Sequence, residues 1–351
     1  MFEEPSGTIS LREKALMKTI YSLTAVFAGL AAAKWIADSW KYFALKNRVI
    51  VITGGSRGLG FVLARELLGK GNRVALLARD NDELERAVRK LPRAQNLFAI
   101  PCDVTDKAQV TAAFDQVLEH FGSIDVLINN AGTIMVGPMT SMTEDDFRTA
   151  LKVSFWAAFH TTQAVLPKMR SQNHGRIVNI CSIGGKISVP HLLPYSVGKF
   201  ALAGYSEGLH AELQKENIVV TTVYPGLMRT GSPRNASFKS RHRKEYTWFS
   251  LSDSLPGLSM SATRAARQII RACEHGRARK ILSLPAKLAI KANELFPELT
   301  ASLLAGTNWV LPREGGIGRD YALGKESHSF LSPSPLTTLG EREAIQNNQV
   351  A

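Results

Sequence analysis

From residue 48 onward the chain alternates short, near-continuous apolar runs with longer stretches in which apolar residues recur every third or fourth position. The runs at 48–53, 73–78, 97–101, 125–129, 176–182 and 218–224 are rich in Val, Ile and Leu, as strands covered on both faces of a parallel sheet must be. Helical periodicity occupies 58–70, 81–91, 106–121, 147–171 and 195–216. Repeated strand–helix alternation predicts βαβ units, and hence an α/β Rossmann-like doubly wound parallel sheet of about seven strands with helices on both faces. A further helix is expected at 261–275 and a last strand at 280–284. Beyond them Leu288, Ala292, Leu295, Leu299 and Leu303 recur at helical spacing, and Pro297 is placed to open a second short helix. From residue 313 Gly, Ser and Pro dominate without apolar periodicity, which predicts a flexible tail.

The amino-terminal pattern differs. Residues 1–18 are polar and of mixed charge; 19–33 carry no charge; Trp35, Trp40 and Tyr42 then alternate with Lys34, Lys41 and Lys46. An apolar helix of that length rises about 22 Å against a hydrocarbon core of about 30 Å, and the aromatic and basic flank resembles an interfacial belt. This segment is expected to associate with a membrane, spanning it or lying in one leaflet; the competing reading is an extra helix packed on the domain or on a second subunit. The organisation is therefore an amino-terminal lead and membrane-associating helix (1–47), the α/β domain (48–284), an amphipathic helical extension (285–312) and the tail (313–351). No internal repeat is evident.

The net charge of +13 over 351 residues points toward an anionic contact such as a membrane surface, a phosphorylated cofactor or nucleic acid, but composition alone does not decide it, because many soluble proteins are basic without such a partner. No nucleic-acid partner is expected, because no recognition fold or base-stacking pattern accompanies the charge. Cys102, Cys181 and Cys273 are widely separated, with no metal-ligand spacing; a reducing compartment and no metal site follow.

Candidate chemistry lies at the carboxyl ends of the predicted strands, where doubly wound sheets bind ligands. The first strand runs into Thr53-Gly-Gly-Ser-Arg-Gly-Leu-Gly60 and then a helix. Gly54, Gly58 and Gly60 permit a tight turn and close backbone approach to phosphate, and the helix amino terminus offers N–H donors to a pyrophosphate. The second strand ends Ala78-Arg79, without the acidic residue that holds a ribose 2′-hydroxyl. Arg79 with Arg57 would instead clamp a 2′-phosphate, so NADP(H) is read in preference to NAD(H). Tyr195 and Lys199 stand one helical turn apart. An ammonium at ~4 Å is worth about 4 kcal/mol at an effective dielectric of 20, roughly three pKa units, enough to bring a phenol toward neutral working range.

Together TGGSRGLG (Thr53–Gly60), CDV (Cys102–Val104), NNAG (Asn129–Gly132), Ser182, YSVGK (Tyr195–Lys199) and PGLMRT (Pro225–Thr230) resemble the short-chain dehydrogenases/reductases across about two-thirds of the chain. The resemblance implies that Thr53, Gly54, Ser56, Arg57, Gly58, Leu59, Gly60 and Arg79 take part in cofactor binding. It also implies that Asp103 and Val104 border the adenine, that Asn130, Ala131 and Gly132 line its ribose and steady the sheet, and that Pro225, Gly226 and Thr230 border the nicotinamide. Ser182 would hold the substrate oxygen, Tyr195 would exchange its proton, and Lys199 would bind the nicotinamide ribose while acidifying the phenol. One departure stands out: Ser154 occupies the place where the family usually carries an asparagine of a catalytic tetrad, and a retuned proton relay is expected there.

In the family the segment after Thr230 closes over the substrate. Here it carries a basic run at 239–244 followed by Tyr246, Trp248 and Phe249, read either as a contact for anionic headgroups or a charged substrate, or as a solvated lid helix. The resulting expectation is an NADP(H)-dependent oxidoreductase interconverting a carbonyl and an alcohol on an apolar or lipid-like small molecule, membrane-associated with its catalytic domain on the cytoplasmic side. The alternative is a catalytically impaired cofactor-binding scaffold or sensor. The resemblance also implies a homodimer or homotetramer formed through 147–171 and 195–216.

Overall fold

The computed structural model describes residues 42–329 and 337–350, with Ser332, Ser334 and scattered positions between 17 and 29. The chain divides into two units, Met1–Phe43 and Ala44–Ala351. In the first, the described positions between 17 and 29 are helical and exposed, and among their large apolar side chains Tyr21 is the most exposed. Most of the expected membrane-associating segment, the stretch 30–41 included, lies outside the described residues. Among the described residues no helix is long and apolar enough to cross a membrane.

The second unit follows the alternation read from the sequence. In chain order it contains β1 (Val49–Thr53), α1 (Gly58–Gly69), β2 (Arg73–Ala78), α2 (Asn81–Lys90), β3 (Leu97–Pro101), α3 (Lys107–Phe121) and β4 (Val126–Asn129). A short β5 (Met135–Val136) precedes α4 (Glu144–Leu151), a π-helical turn (Lys152–Trp156), α5 (Ala157–Ser171), β6 (Gly175–Ile180), α6 (Leu193–Leu213) and β7 (Ile218–Tyr224). Then come β8 (Met228–Arg229), β9 (Ser237–Lys239), α7 (His242–Ser254), β10 (Met260–Ser261), α8 (Ala262–Glu274) and β11 (Arg279–Ile281). The chain closes with α9 (Leu284–Leu295), α10 (Pro297–Asn308), β12 (Tyr321–Leu323) and α11 (Thr338–Gln346).

Seven strands form one sheet in the order β11-β7-β6-β4-β1-β2-β3, every pairing parallel. All residues of β1, β6 and β7 are buried, which is why those runs read as apolar without alternation. One core cluster joins β1, β2, β4, β6 and β7 to α3 and α5 through Val51, Leu77, Phe114, Leu127, Val165, Ile177 and Val220. Helix starts are fixed by side chains: Asp80, Asp106, Ser261 and Ser283 each accept an N–H from the first turn that follows. Gly122, with φ of 77°, ends α3 in the left-handed conformation.

Three expectations change. The helix expected over 147–171 is interrupted by the π turn around Ser154. The last strand stops at Ile281, because Ser283 caps a helix that begins at Leu284 rather than extending the strand. The segment after residue 313, expected to be a flexible tail, is folded where it is described. Its β12 pairs antiparallel with β9, and Arg234–Glu341 (2.6 Å) ties α11 to the loop after β7. Polar residues that lack apolar periodicity here use hydrogen bonds and ion pairs instead, which periodicity cannot register.

Candidate active site

The turn after β1 is built by close backbone approach. Gly54 and Gly58 have φ of +62° and +57°, which only glycine adopts without strain. A Cβ on Gly60 would lie 2.2 Å from the Gly54 carbonyl oxygen and 2.6 Å from the Asn130 amide nitrogen. The Asn130 side chain donates to the carbonyls of Thr53 (3.1 Å) and Gly54 (2.9 Å). The N–H groups of Asn130 and Ala131 donate to the Thr53 hydroxyl at 3.0 and 3.1 Å. Asn130 therefore spends its amide on stitching β4 to the glycine turn.

Helix α1 starts with no side-chain cap, leaving its first N–H groups and their positive dipole end for another acceptor. This cradle, in which no Cβ fits at Gly60, suits a dinucleotide phosphate. Two features of the chain itself also reach it. Glu83 on α2 accepts from the Ser56 hydroxyl (3.0 Å) and pairs with Arg57 (2.8 Å), so Arg57 is turned to a carboxylate. The carboxyl-terminal strap lies over the turn: the Gly58 N–H donates to the Asn347 carbonyl at 2.8 Å, and the Asn348 amide donates to the carbonyls of Ser56 (2.8 Å) and Glu83 (3.2 Å). An acceptor bound to the Gly58 N–H excludes a second one. Deleting residues 347–351 is therefore expected to tighten NADPH binding severalfold by titration calorimetry; weaker binding would make the strap a wall of the site.

At the end of β2, Ala78 is buried and Arg79 is exposed. The Asp103 carboxyl feels partial burial, which raises it, but the Thr105 N–H and hydroxyl, then Arg79 and Lys152, hold it below the usual range. Arg79 thus lies near enough to Asp103 to favour its ionised form, and Val104 beside Asp103 is buried. Leu59 is buried where α1 begins.

The reacting groups meet after β6. Ser182 follows that strand in an extended conformation, and its Oγ accepts from the Gly184 N–H at 3.0 Å. Tyr195, in the first turn of α6, lies beside Ser182, whose side chain favours the ionised phenol. A Cβ on Gly184 would lie 3.0 Å from the Tyr195 ring, so the serine loop packs directly on the phenol. Lys199 is buried, and its Nζ donates to the Ile180 carbonyl (3.0 Å), 5.8 Å from the Tyr195 ring centroid. A Cβ on Gly132 would stand 3.5 Å from that Nζ, so Lys199 reaches from the phenol to the strand segment after β4.

The acidified phenol expected from Tyr-x-x-x-Lys spacing is not what this arrangement produces. Burial dominates and pushes Tyr195 up to about 12, against the lowering effect of the neighbouring Ser182 side chain and with smaller upward effects from Cys181 and Asp253. The Lys199 ammonium is itself held low by burial, and it gives its hydrogen bond to a main-chain carbonyl. Spacing alone measured neither the desolvation nor that competing acceptor.

Ser154 sits in the π turn, buried, with no hydrogen-bond partner for its hydroxyl among the described residues. It packs under α6: a Cβ on Gly198 would lie 3.1 Å from the Ser154 Cβ. Pro225 accepts the Ile183 N–H (2.7 Å), joining the β7 loop to the serine loop. Gly226 is close-packed against Ser283 at the start of α9, and buried Thr230 accepts the Ser232 N–H.

Sequence reading missed a buried polar chain beneath the site. Thr161 donates to Asn129 (2.6 Å), Asn129 to Asn179 (2.9 Å) and Asn179 to Ser206 (2.9 Å), with Ser206 against Thr222 (2.7 Å). Its only advance signal was an asparagine inside each of two apolar runs. The lid differs from expectation too: Lys239 is buried against Asp146 (2.6 Å), while Tyr246 and Phe249 pack on Phe238 and Val136. These aromatics face inward, because β9 and β5 supply a small core for them. A buried His191–Glu245 contact (2.9 Å), with the Trp248 indole donating to Glu245 (2.7 Å), fastens α7 to the loop before α6.

The profile of the short chain dehydrogenase family matches residues 48–240. A dehydrogenase/reductase SDR family protein 7-like from Anopheles gambiae is 37% identical over 199 residues, 55% of this chain and 62% of that protein. A 3-ketodihydrosphingosine reductase from Bacteroides thetaiotaomicron is 35% identical over 204 residues, 58% of this chain and 72% of that protein. Two solved structures show the same fold. A Burkholderia phymatum short chain dehydrogenase/reductase in complex with NAD has TM-score 0.67 and 25% identity, covering 73% of this chain and 96% of that one. A Burkholderia cenocepacia gluconate 5-dehydrogenase in complex with NADP and tartrate has TM-score 0.62 and 25% identity, covering 71% and 99%.

Proposed function

The chain belongs to the short-chain dehydrogenase family, an oxidoreductase family, and on that premise we propose that it interconverts a carbonyl and an alcohol with NADP(H), on an apolar, lipid-like substrate at the cytoplasmic face of a membrane. The observation that carries this reading is the packing of the serine loop on the Tyr195 ring at the end of β6, with Ser182 beside the phenol and Lys199 one turn further on.

When bound, the nicotinamide supplies the hydride. The residues of the chain do the rest. A carbonyl oxygen seated between the Ser182 and Tyr195 hydroxyls gains negative charge as its carbon is reduced, and two preplaced donors lower that barrier. Tyr195, which stays protonated through the neutral range, passes its proton to that oxygen. Lys199, beside Gly132, is placed to donate to ribose hydroxyls and to hold them against the crevice. Ser154, with its unpartnered hydroxyl in the π turn, offers a route by which a water-borne proton reaches α6.

Preference for NADP(H) over NAD(H) is supported by the absence of an acid at Ala78 and by exposed Arg79. Arg57 contributes only where a 2′-phosphate draws it from Glu83. Arg79→Asp is expected to weaken NADPH by tenfold or more and to leave NADH unchanged or improved, about 1.4 kcal/mol per factor of ten. Equal NADPH binding in wild type and variant would remove Arg79 from the phosphate site. A lipid-like substrate is supported by the similarity to the 3-ketodihydrosphingosine reductase of Bacteroides thetaiotaomicron.

A second reading, a cofactor-binding scaffold, draws on Ser154 and on the strap at Gly58. One experiment separates them: NADPH absorbance followed against lipid-extract and long-chain ketone panels. Turnover lost in Tyr195→Phe supports the oxidoreductase; stoichiometric binding without turnover in either protein supports the scaffold.

A further inference from the structure

Helices α9 and α10 form a hairpin that is apolar on two sides. Its inner side is anchored by Ala286 and Ile290, and Ile290 packs in one cluster with Tyr224 and Ile187. The outer side carries a second stripe. Leu284, Leu288 and Leu295 on α9 recur at helical spacing and are 67, 62 and 68% exposed. Leu299 and Leu303 on α10 continue it at 58 and 62%. Helix α10 has no buried residue, and Trp309 just beyond it is 90% exposed. A second, exposed apolar stripe on helices already packed by their inner side marks a contact surface.

The surroundings identify what covers it. Between residues 277 and 313 there are six Lys or Arg and two Glu. Lys280 is held below its ordinary range, by partial burial first and then by Lys287, Arg277 and Arg271, so these cations crowd one another beside α9. A second copy meeting this face through a two-fold axis would set that cluster against itself. An anionic bilayer surface presents the opposite charge, and an indole at the end of an apolar stripe belongs at a bilayer interface.

We propose that the outer face of α9–α10 docks on an anionic membrane, with the leucine stripe and Trp309 in the headgroup–acyl boundary and the basic cluster on the headgroups. The inner face of the same hairpin meets the serine loop: the Asn293 amide lies 3.4 Å from the Lys186 carbonyl, and Ile290 packs with Ile187. Docking therefore brings the substrate side of the crevice to the lipid. This deepens the membrane reading above and names its contact surface, but it does not depend on catalysis.

The test uses the full chain with phosphatidylcholine vesicles, with or without phosphatidylserine, and with brominated acyl chains as quenchers. Wild type is expected to bind the anionic vesicles more tightly, and in a background carrying Trp35→Phe and Trp40→Phe, which removes the amino-terminal indoles, the bromolipid quenching is expected to be largely lost on adding Trp309→Phe. Leu299→Ser with Leu303→Ser is expected to lower partitioning by roughly tenfold, in line with the apolar area removed. Lys280→Glu with Lys287→Glu is expected to erase the preference for anionic vesicles. The proposal is overturned if vesicle-bound chain shows no quenching at Trp309, since another segment then makes the contact. It is equally overturned if Leu299→Glu turns a dimer into a monomer in sedimentation without changing vesicle binding, since a second copy then covers the stripe. Turnover of a water-soluble carbonyl in the same variants keeps failure of docking distinct from failure of the oxidoreductase reading.

Discussion

Tyr195→Phe is expected to slow carbonyl reduction by about 10²- to 10⁴-fold, the range for loss of a placed general acid, while NADPH binding stays within about twofold. The substitution removes one oxygen and keeps the ring that packs on Gly184. Its effect should fall on kcat more than on KM, because the phenol acts where charge develops on the substrate oxygen. The pH dependence carries the sign of the burial. Reduction needs the protonated phenol, and burial pushes that group up to about 12. Reduction by wild type should therefore stay level through the neutral range and fall only in strong alkali. Alcohol oxidation needs the phenolate and should rise with pH over the same range. A reduction rate that falls through pH 7 would mean that Lys199 acidifies the phenol after all.

The second large effect is expected from Gly60→Ala. The added Cβ would stand 2.2 Å from a backbone carbonyl oxygen and 2.6 Å from the Asn130 amide, and neither can yield without opening the turn. Overpacking of this kind costs about 1–3 kcal/mol, and a loss of that size lowers the melting temperature of a domain this large by roughly 2–4 °C per kcal/mol. NADPH affinity should fall by more than tenfold, because the same displacement moves the first N–H groups of α1. Gly69→Ala is the control within the same helix. No atom lies within 4 Å of its added Cβ, so that variant should keep affinity and gain a few tenths of a kcal/mol from helix propensity. Equal melting temperatures and affinities for the two variants would show that close approach at Gly60 is not what shapes the cradle.

The sheet was legible in the chain because its signal is local. Six of its seven strands are apolar runs between helical stretches, and burial of most of them on both faces keeps polar residues in them few. The glycine turn, Ser182, Tyr195 and Lys199 were legible because each sits at a fixed place relative to a strand end. What escaped was set by tertiary contact. Arg57 read as a phosphate ligand, yet Glu83 on the next helix holds it, at a sequence separation that no motif spans. The phenol read as acidified because spacing gives proximity, whereas its ionisation is governed by burial that spacing does not express. The strap read as loose because Asn347 and Asn348 act through polar contacts with residues almost 300 positions earlier. The leucine stripe at 288, 295, 299 and 303 was correctly read as helical, but its periodicity could not tell an inward face from an outward one.

These corrections sharpen the chemistry rather than remove it. A phenol that keeps its proton at neutral pH is able to deliver it to a carbonyl oxygen. The buried chain from Thr161 to Thr222 fixes the ends of β4, β6 and β7 against α5 and α6, and with them the positions of Ser182 and Tyr195.

The most direct measurement follows isotope. With NADPH carrying deuterium at both C4 positions of its nicotinamide, and a ketone that wild type consumes, mass spectrometry of the alcohol should find one deuterium on the carbinol carbon. Tyr195→Phe should form that labelled product more slowly, by the factor given above. Alcohol without the label, or no alcohol from any ketone while NADPH binds one per chain, would contradict the account.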